Sequence, residues 1–414
     1  MNWAWPLKPF LVACALGGLL AACGGQTEGV LIPNAGRAPG ASTVDMLVAT
    51  TRLPDTTTPG VMFGGARALD INFADIAVSI PPTHKAGDIE WPSSPPGDPA
   101  REFTTERADI LSREAALARF DKRVRKAPSR RVLVFVHGFN TKFEDAVYRF
   151  AQIVHDSGVP AAPVLFTWPS QGRVFAYGYD RESSSYSRDG LEALLQSLID
   201  DRNVGEIDVL AHSMGNVAAL EALRQLAIRK GRISPKIQNV MLASPDVDFD
   251  IFRRQIGAMG PKKPAITLFV SRDDKALAVS RRVWGDKVRV GAIDPRAEPY
   301  RSVLEQDDII VADLTNIKTD DGFDHSKFAE SPLVVRAIGR RLAQGQPLED
   351  GQTTLADKVG QLAVGTVSGV GSAAGAVVSA PFAVFDPRAR DNLMDHVQNA
   401  GTNLMSTVGA VVPK

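Results

Sequence analysis

From about residue 130 onward the chain repeats one unit, a short apolar run followed by a segment with helical period. The runs lie at 132–136, 164–168, 207–211, 240–243, 266–270 and 309–312, and each is β-branched or aromatic in character. Between them, segments 144–155, 190–201 and 216–229 place apolar residues at helical spacing. A strand that is apolar without alternation must be covered on both faces, and the strand–helix–strand rhythm supplies the cover. The expected fold class is therefore α/β, a mostly parallel central sheet with helices on both faces. Two earlier strands, 43–51 and 73–80, open the sheet, and Pro81-Pro82 stops the second. Segment 105–126 reads as helical.

The run at 207–211 leads into Ala211-His-Ser213-Met-Gly215-Asn216 and straight out into a helical segment. Strand, tight turn and helix in that order make a nucleophile elbow, which exposes a serine hydroxyl at the top of a sheet. The positions two before and two after the serine must be small because the two backbones nearly touch, and Ala211 and Gly215 meet that need. Ala211 stands where glycine is commonest. The plainer alternative is that Ser213 only turns or caps the chain. As a nucleophile, Ser213 would have the Met214 N–H at the helix N-terminus as an oxyanion donor.

A serine is a weak nucleophile without a base, and such a site takes its acid and then its histidine from later loops. Two histidines follow Ser213. His396 lies in a Gly/Ala-rich tail and reads as a surface residue; His325, in Gly322-Phe-Asp-His325-Ser, follows the run at 309–312 and is the expected base. Candidate acids are Asp273 and Asp274 after the run at 266–270, and Asp246 after the one before it. The run at 132–136 ends in His137-Gly138-Phe139-Asn140, where Gly138 lets the backbone approach a substrate. His137 reads as structural, holding that loop through a side-chain hydrogen bond. The aromatics Phe175, Tyr177 and Tyr179 read either as walls of a substrate pocket or as ordinary loop packing. No phosphate-binding Gly-x-x-x-x-Gly-Lys-Ser/Thr loop, no His-Glu-x-x-His and only 2 Cys are present, so no cofactor or metal is expected.

Taken together, Phe135-Val-His-Gly-Phe-Asn140, Phe166-Thr-Trp-Pro-Ser170, Ala211-His-Ser-Met-Gly-Asn216, Leu242-Ala-Ser-Pro-Asp246, Val270-Ser-Arg-Asp-Asp-Lys-Ala-Leu277 and Asp324-His-Ser326 resemble a family of bacterial α/β hydrolases of unknown physiological function. Its members are esterase- or lipase-like and often exported, and the likeness runs from about residue 44 to about 343. It implies the α/β-hydrolase fold, with the acid after the later of the two strands. It favours Asp274, the second carboxylate before Lys-Ala-Leu, over Asp273 and over Asp246. It also implies the Phe139 N–H, following His-Gly, as the second oxyanion donor. This chain departs from the pattern in carrying Arg272-Asp273 where relatives often have a neutral neighbour, and an added carboxylate there could raise the pKa of the acid.

The ends of the chain carry other signals. Lys8 and the apolar run from Phe10 to Leu20, too short to span a bilayer, precede Leu20-Ala-Ala-Cys23, which resembles a bacterial lipobox. Cys23 would be the lipidated mature N-terminus, and Gly24 after it implies outer-membrane sorting; an ordinary secretory signal is the alternative. The expected domains are a lipoprotein signal peptide at 1–22, a lipidated tether at 23–42, the α/β-hydrolase domain at 43–345 and a Gly/Ala-rich tail at 346–414. That tail has no charge from 359 to 385 and could contact a membrane. Balanced charge, 47 basic against 47 acidic residues, argues against nucleic acid as a partner. The expected function is a serine hydrolase cleaving carboxylic (acyl) esters of small molecules or lipids at the cell envelope. The alternatives are an envelope lipoprotein using the fold as a binding module, or an acyltransferase, thioesterase or peptidase with the same triad.

Overall fold

The computed structural model describes residues 26–319 and 322–343. Nine strands form one sheet: β1 (Ser42–Pro54), β2 (Phe63–Ile80), β3 (Thr104–Leu111), β4 (Arg131–Val136), β5 (Ala162–Thr167), β6 (Glu206–His212), β7 (Ile237–Ala243), β8 (Ala265–Val270) and β9 (Ile310–Asp313). Their spatial order is β3-β2-β1-β5-β4-β6-β7-β8-β9. From β1 to β9 all neighbours are parallel, while β2 and β3 are added antiparallel at one edge.

The helices are α1 (Arg113–Val124), α2 (Phe143–Ser157), α3 (Tyr177–Tyr186), α4 (Arg188–Asp200), α5 (Gly215–Lys230), α6 (Phe249–Ala258), α7 (Lys275–Val283), α8 (Tyr300–Gln306), α9 (Lys327–Glu330) and α10 (Pro332–Ala343). The continuous apolar runs follow from the two-sided cover. In β4, Val132, Val134 and Val136 face a core shared with α4 and α5, while Leu133 and Phe135 face another shared with α2 and α10. The chain passes from β4 to β5 on one side and then to β6 on the other. Strand order therefore reverses at β4, and a crevice opens at the carboxyl ends of β4 and β6, where sites in such sheets form.

Two expectations need correction. Residues 104–111 form an edge strand instead of the start of a helix, and helix begins only at Arg113, after Ser112 caps it by accepting from the Ala115 N–H at 3.2 Å. The charges of this segment lie in ion pairs over the sheet face: Arg107 reaches Asp45 and Asp75, and Arg119 reaches Asp75 and Asp109. The other correction concerns the expected tether, of which residues 26–42 are described. Val30 and Leu31 are buried, the Val30 carbonyl accepts from Tyr148 Oη at 3.0 Å, and Leu31 and Asn34 donate to Gly60 and Thr105. Two buried aliphatic side chains stabilise the docked segment by about 2 kcal/mol each, enough to hold a Gly/Pro-rich strip that has no period of its own. The expected signal peptide, Cys23, His396 and the tail from 346 onward lie outside the described residues.

At the far end of α2, His84 sits between two carboxylates, its Nδ1 2.7 Å from Glu90 and its Nε2 2.8 Å from Asp156. Burial disfavours the imidazolium, but hydrogen bonds to Asp156 and Glu90 outweigh it and raise the His84 pKa above its ordinary 6.5. A raised folded pKa contributes stability that is full below the unfolded pKa and is lost as pH climbs through the folded one. We expect the stability gap between wild type and His84→Gln, read by urea unfolding, to be widest near about pH 6 and to narrow by about pH 9; a constant gap would contradict the assignment.

Candidate active site

Strand β6 delivers Ser213 into a turn where its φ is +52°, the left-handed region that non-glycine residues avoid. Its conformation is held from both sides of the backbone: the Ser213 N–H donates to Ala243 at 2.9 Å, and the Ser213 carbonyl accepts from Asp246 N at 3.2 Å and Asn216 Nδ2 at 3.0 Å. The crossing behind the turn is tight. A Cβ on Gly215 would lie 2.2 Å from the His137 carbonyl oxygen, and one on Gly138 would lie 2.9 Å from both His212 Nδ1 and Ser213 Cβ. Only glycine fits where α5 starts against the end of β4.

The loop after β4 is held by its own histidine. Trp168 N–H donates to His137 Nε2 at 3.1 Å, so the ring proton sits on Nδ1 and is donated to the Gly138 carbonyl at 2.8 Å. Burial, helped by the Arg52 charge, pushes the imidazole down to about 3, so the ring stays neutral. Gly138 C=O and Phe139 N–H belong to one trans peptide and point in opposite directions; anchoring the carbonyl aims the N–H away from His137. Among the described residues, neither Phe139 N–H nor Met214 N–H has an acceptor. Buried backbone donors are nearly always paired, and Met214 stands at the positive end of the sixteen-residue α5.

Beneath that loop lies a set of residues that sequence reasoning did not assign. Arg52, fully buried, donates to the carbonyls of Ser170 at 2.9 Å and Thr141 at 2.8 Å, and Asp180 accepts from Asn140 N, Gln171 N and Ser170 Oγ. A buried arginine 89 and 118 residues from these two partners leaves no local signal.

The acid and histidine loops meet beside the elbow. Asp274 caps α7, one oxygen accepting from Leu277 N at 2.9 Å and the other lying 2.6 Å from His325 Nδ1. The His325 ring centroid is 4.8 Å from that of His212, the residue preceding Ser213, and the His325 carbonyl is 3.3 Å from Ser244 Oγ. Asp246 is engaged elsewhere, accepting from Tyr177 Oη and Ser280 Oγ, both at 2.6 Å, with Arg289 at 3.3 Å. Asp273 pairs with the buried Lys327 at 2.8 Å. Burial opposes its charge, but Lys327 and Ser271 outweigh burial and hold its carboxyl below the usual range. The carboxylate next to Asp274 is thus neutralised by a lysine two residues past His325. The same ammonium lies within 3.4 Å of the Leu314 and Thr315 carbonyls, tying the histidine loop to the ends of β8 and β9.

With Ser213 after β6, the carboxylate after β8 and the histidine after β9, the chain order is the one this fold uses. Residues 112–341, more than half of the chain, match the family described as alpha/beta hydrolases of unknown function (DUF900). The chain belongs to this family. This α/β hydrolase is also 26% identical to an uncharacterized protein of Nostoc sp., over 29% of its own length and 38% of the relative's, so it spans well under half of that protein. It is similar to three solved structures: an esterase of Pyrococcus furiosus (12% identity, 52% of this chain and 83% of that one, TM-score 0.32), a lipase-esterase related protein of Clostridium acetobutylicum (10%, 54% and 96%, 0.29) and an esterase of Rhizomucor miehei (12%, 83% and 92%, 0.30).

Among the described residues, one group could offer metal ligands: His84, His155 and Asp156. Asp156 lies near the C-terminal end of α2, about 20 Å along that helix from the loop of His137 to Phe139, and both His84 nitrogens are already taken by carboxylates. The tight crossing makes a prediction about the hydrolase's stability. Gly215→Ala should cost about 3 kcal/mol or more, whereas Gly257→Ala, on α6 with nothing within 4 Å, should be neutral or stabilise by up to about 1 kcal/mol. Thermal unfolding of the two variants checks this, and equal melting temperatures would contradict it.

Proposed function

We propose that this hydrolase cleaves carboxylic esters at the cell envelope by a serine mechanism, with Ser213 as nucleophile, His325 as base and Asp274 as its orienting acid. The observation that carries the reading is the 2.6 Å contact of Asp274 with His325 Nδ1 beside a left-handed Ser213. With Nδ1–H given to the carboxylate, the lone pair of the neutral ring is on Nε2, the nitrogen that takes the Ser213 proton. The hydroxyl oxygen attacks the acyl carbonyl, and the developing oxyanion accepts from Phe139 N–H and Met214 N–H, each worth about 3 kcal/mol in such sites. Collapse expels the alcohol, protonated by the imidazolium, and water then attacks the acyl-enzyme with His325 again as base. Asp274 stays ionised and stabilises the imidazolium.

The envelope location belongs to the same proposal. Lipidation at Cys23 would hold the enzyme on a membrane whose lipids are esters, which favours acylated lipid over a soluble metabolite. Palmitate labelling of cells expressing the full chain, lost in Cys23→Ala, tests that part.

For the chemistry, wild type should react with a fluorophosphonate probe and turn over p-nitrophenyl esters. Ser213→Ala and His325→Ala should lose both, and Asp274→Asn should lower kcat by about 10³- to 10⁴-fold. Thioester and peptide substrates in the same panel separate the other acyl-transfer chemistries. A folded wild type that neither labels nor turns over any of them would leave the fold serving as a binding module.

A further inference from the structure

Most large apolar side chains here are buried, but Phe175 is fully exposed, and Val174 beside it is 66% exposed. They form a short turn immediately before α3, and their position links them to the site. Two residues on, the Tyr177 ring meets Phe139 of the oxyanion loop edge-on at 5.0 Å. On the other side of Tyr177, Trp284 donates its indole N–H to Tyr177 Oη at 3.1 Å and is itself 43% exposed. Trp284 ends α7, the helix that Asp274 caps, and one helical turn apart on α7 stand exposed Val279 and Val283. Five exposed apolar side chains thus stand on the turn before α3 and on α7, the two elements that Tyr177 joins to the loop of Phe139.

The N-terminal segment leaves from the same end of the sheet. Glu28 pairs with Lys142 at 2.6 Å. Lys142 caps α2 just after the oxyanion loop, and its stem packs on Gly172, next to Arg173 and Val174. From Cys23 to Glu28 is five residues, a reach of at most about 18 Å. A lipid on Cys23 would therefore hold the bilayer close to Val174 and Phe175. Exposed Arg173, Arg282 and Lys287 add positive charge beside the apolar strip, as suits a surface carrying anionic headgroups, and an indole at the edge of the strip suits the headgroup layer.

We propose that Val174, Phe175, Val279, Val283 and Trp284 form a bilayer-docking rim, pressed by the Cys23 anchor against anionic membrane lipid, so that acyl esters enter the site from the membrane. The proposal rests on the envelope-hydrolase reading and names where its substrate comes from. No helix among the described residues is long and apolar enough to cross a membrane; the rim lies on the bilayer surface.

The test uses lipidated full-length protein in vesicles of phosphatidylethanolamine and phosphatidylglycerol containing a bromine-labelled acyl lipid, with tryptophan quenching as the readout. Trp168 is buried, Trp91 half-buried against Tyr148, and Trp284 exposed, so we expect quenching in wild type that is largely kept in Trp91→Phe, largely lost in Trp284→Phe, and clearly reduced in Phe175→Ser that melts with wild type. Absence of quenching in wild type overturns the rim, as does a lipid-independent dimer, seen by sedimentation, that shields Trp284 from the bromine. Fluorophosphonate labelling of Ser213 in the same vesicles keeps the two readings apart. Labelling without quenching removes the rim and leaves the hydrolase, while quenching without labelling does the reverse.

Discussion

The site depends on one backbone contact, the crossing of the start of α5 over the end of β4. Gly215 and the His137 carbonyl approach so closely that no Cβ fits between them. That contact fixes how sharply the chain must turn after β6, and the turn puts Ser213 in a left-handed conformation stabilised by bonds to Ala243, Asp246 and Asn216. It also brings the loop of His137 to Phe139 alongside the helix N-terminus. Among the described residues, the N–H groups of Phe139 and Met214, on that loop and at that helix start, have no acceptor. Backbone strain of this kind persists only where the surroundings over-determine it.

Around that crossing the structure fixes orientation in layers. His137 stays neutral because burial and the Arg52 charge push it far below its ordinary value, and in that form it anchors one peptide of the loop. Arg52, Asp180 and Ser170 hold the next few residues from below. On the other side, Asp274 uses one oxygen to cap α7 and the other to orient His325, so the helix and the imidazole locate the carboxylate together. Lys327 then ties the histidine loop to the acid loop and removes the electrostatic cost of a second carboxylate at Asp273.

What could be read from the chain divides along physical lines. Central strands buried on both faces appear as continuous apolar runs, so β4 to β9 were legible to within a few residues, as were α2, α4 and α5; the shorter α3, α6, α7 and α8 were not assigned. The elbow was legible because its steric demand falls on residues close in sequence, Ala211 and Gly215. The edge strand β3 was not, since its charges answer partners on β1, β2 and α1 and imitate a solvated helix. The docked N-terminal strip was missed because Val30 and Leu31 carry no period; what holds them is a groove built from residues 60, 105 and 148. Resemblance separated Asp274 from Asp273, and in the structure Asp273 pairs with Lys327 while Asp274 contacts His325.

The central claim is that Ser213 becomes covalently acylated during turnover, and peptide mass mapping of protein quenched in acid during hydrolysis of an activated ester tests it most directly. The account predicts an acyl adduct on the peptide containing Ser213, absent from Ser213→Ala. Turnover with no adduct on that peptide, or with the adduct on another residue, would contradict it.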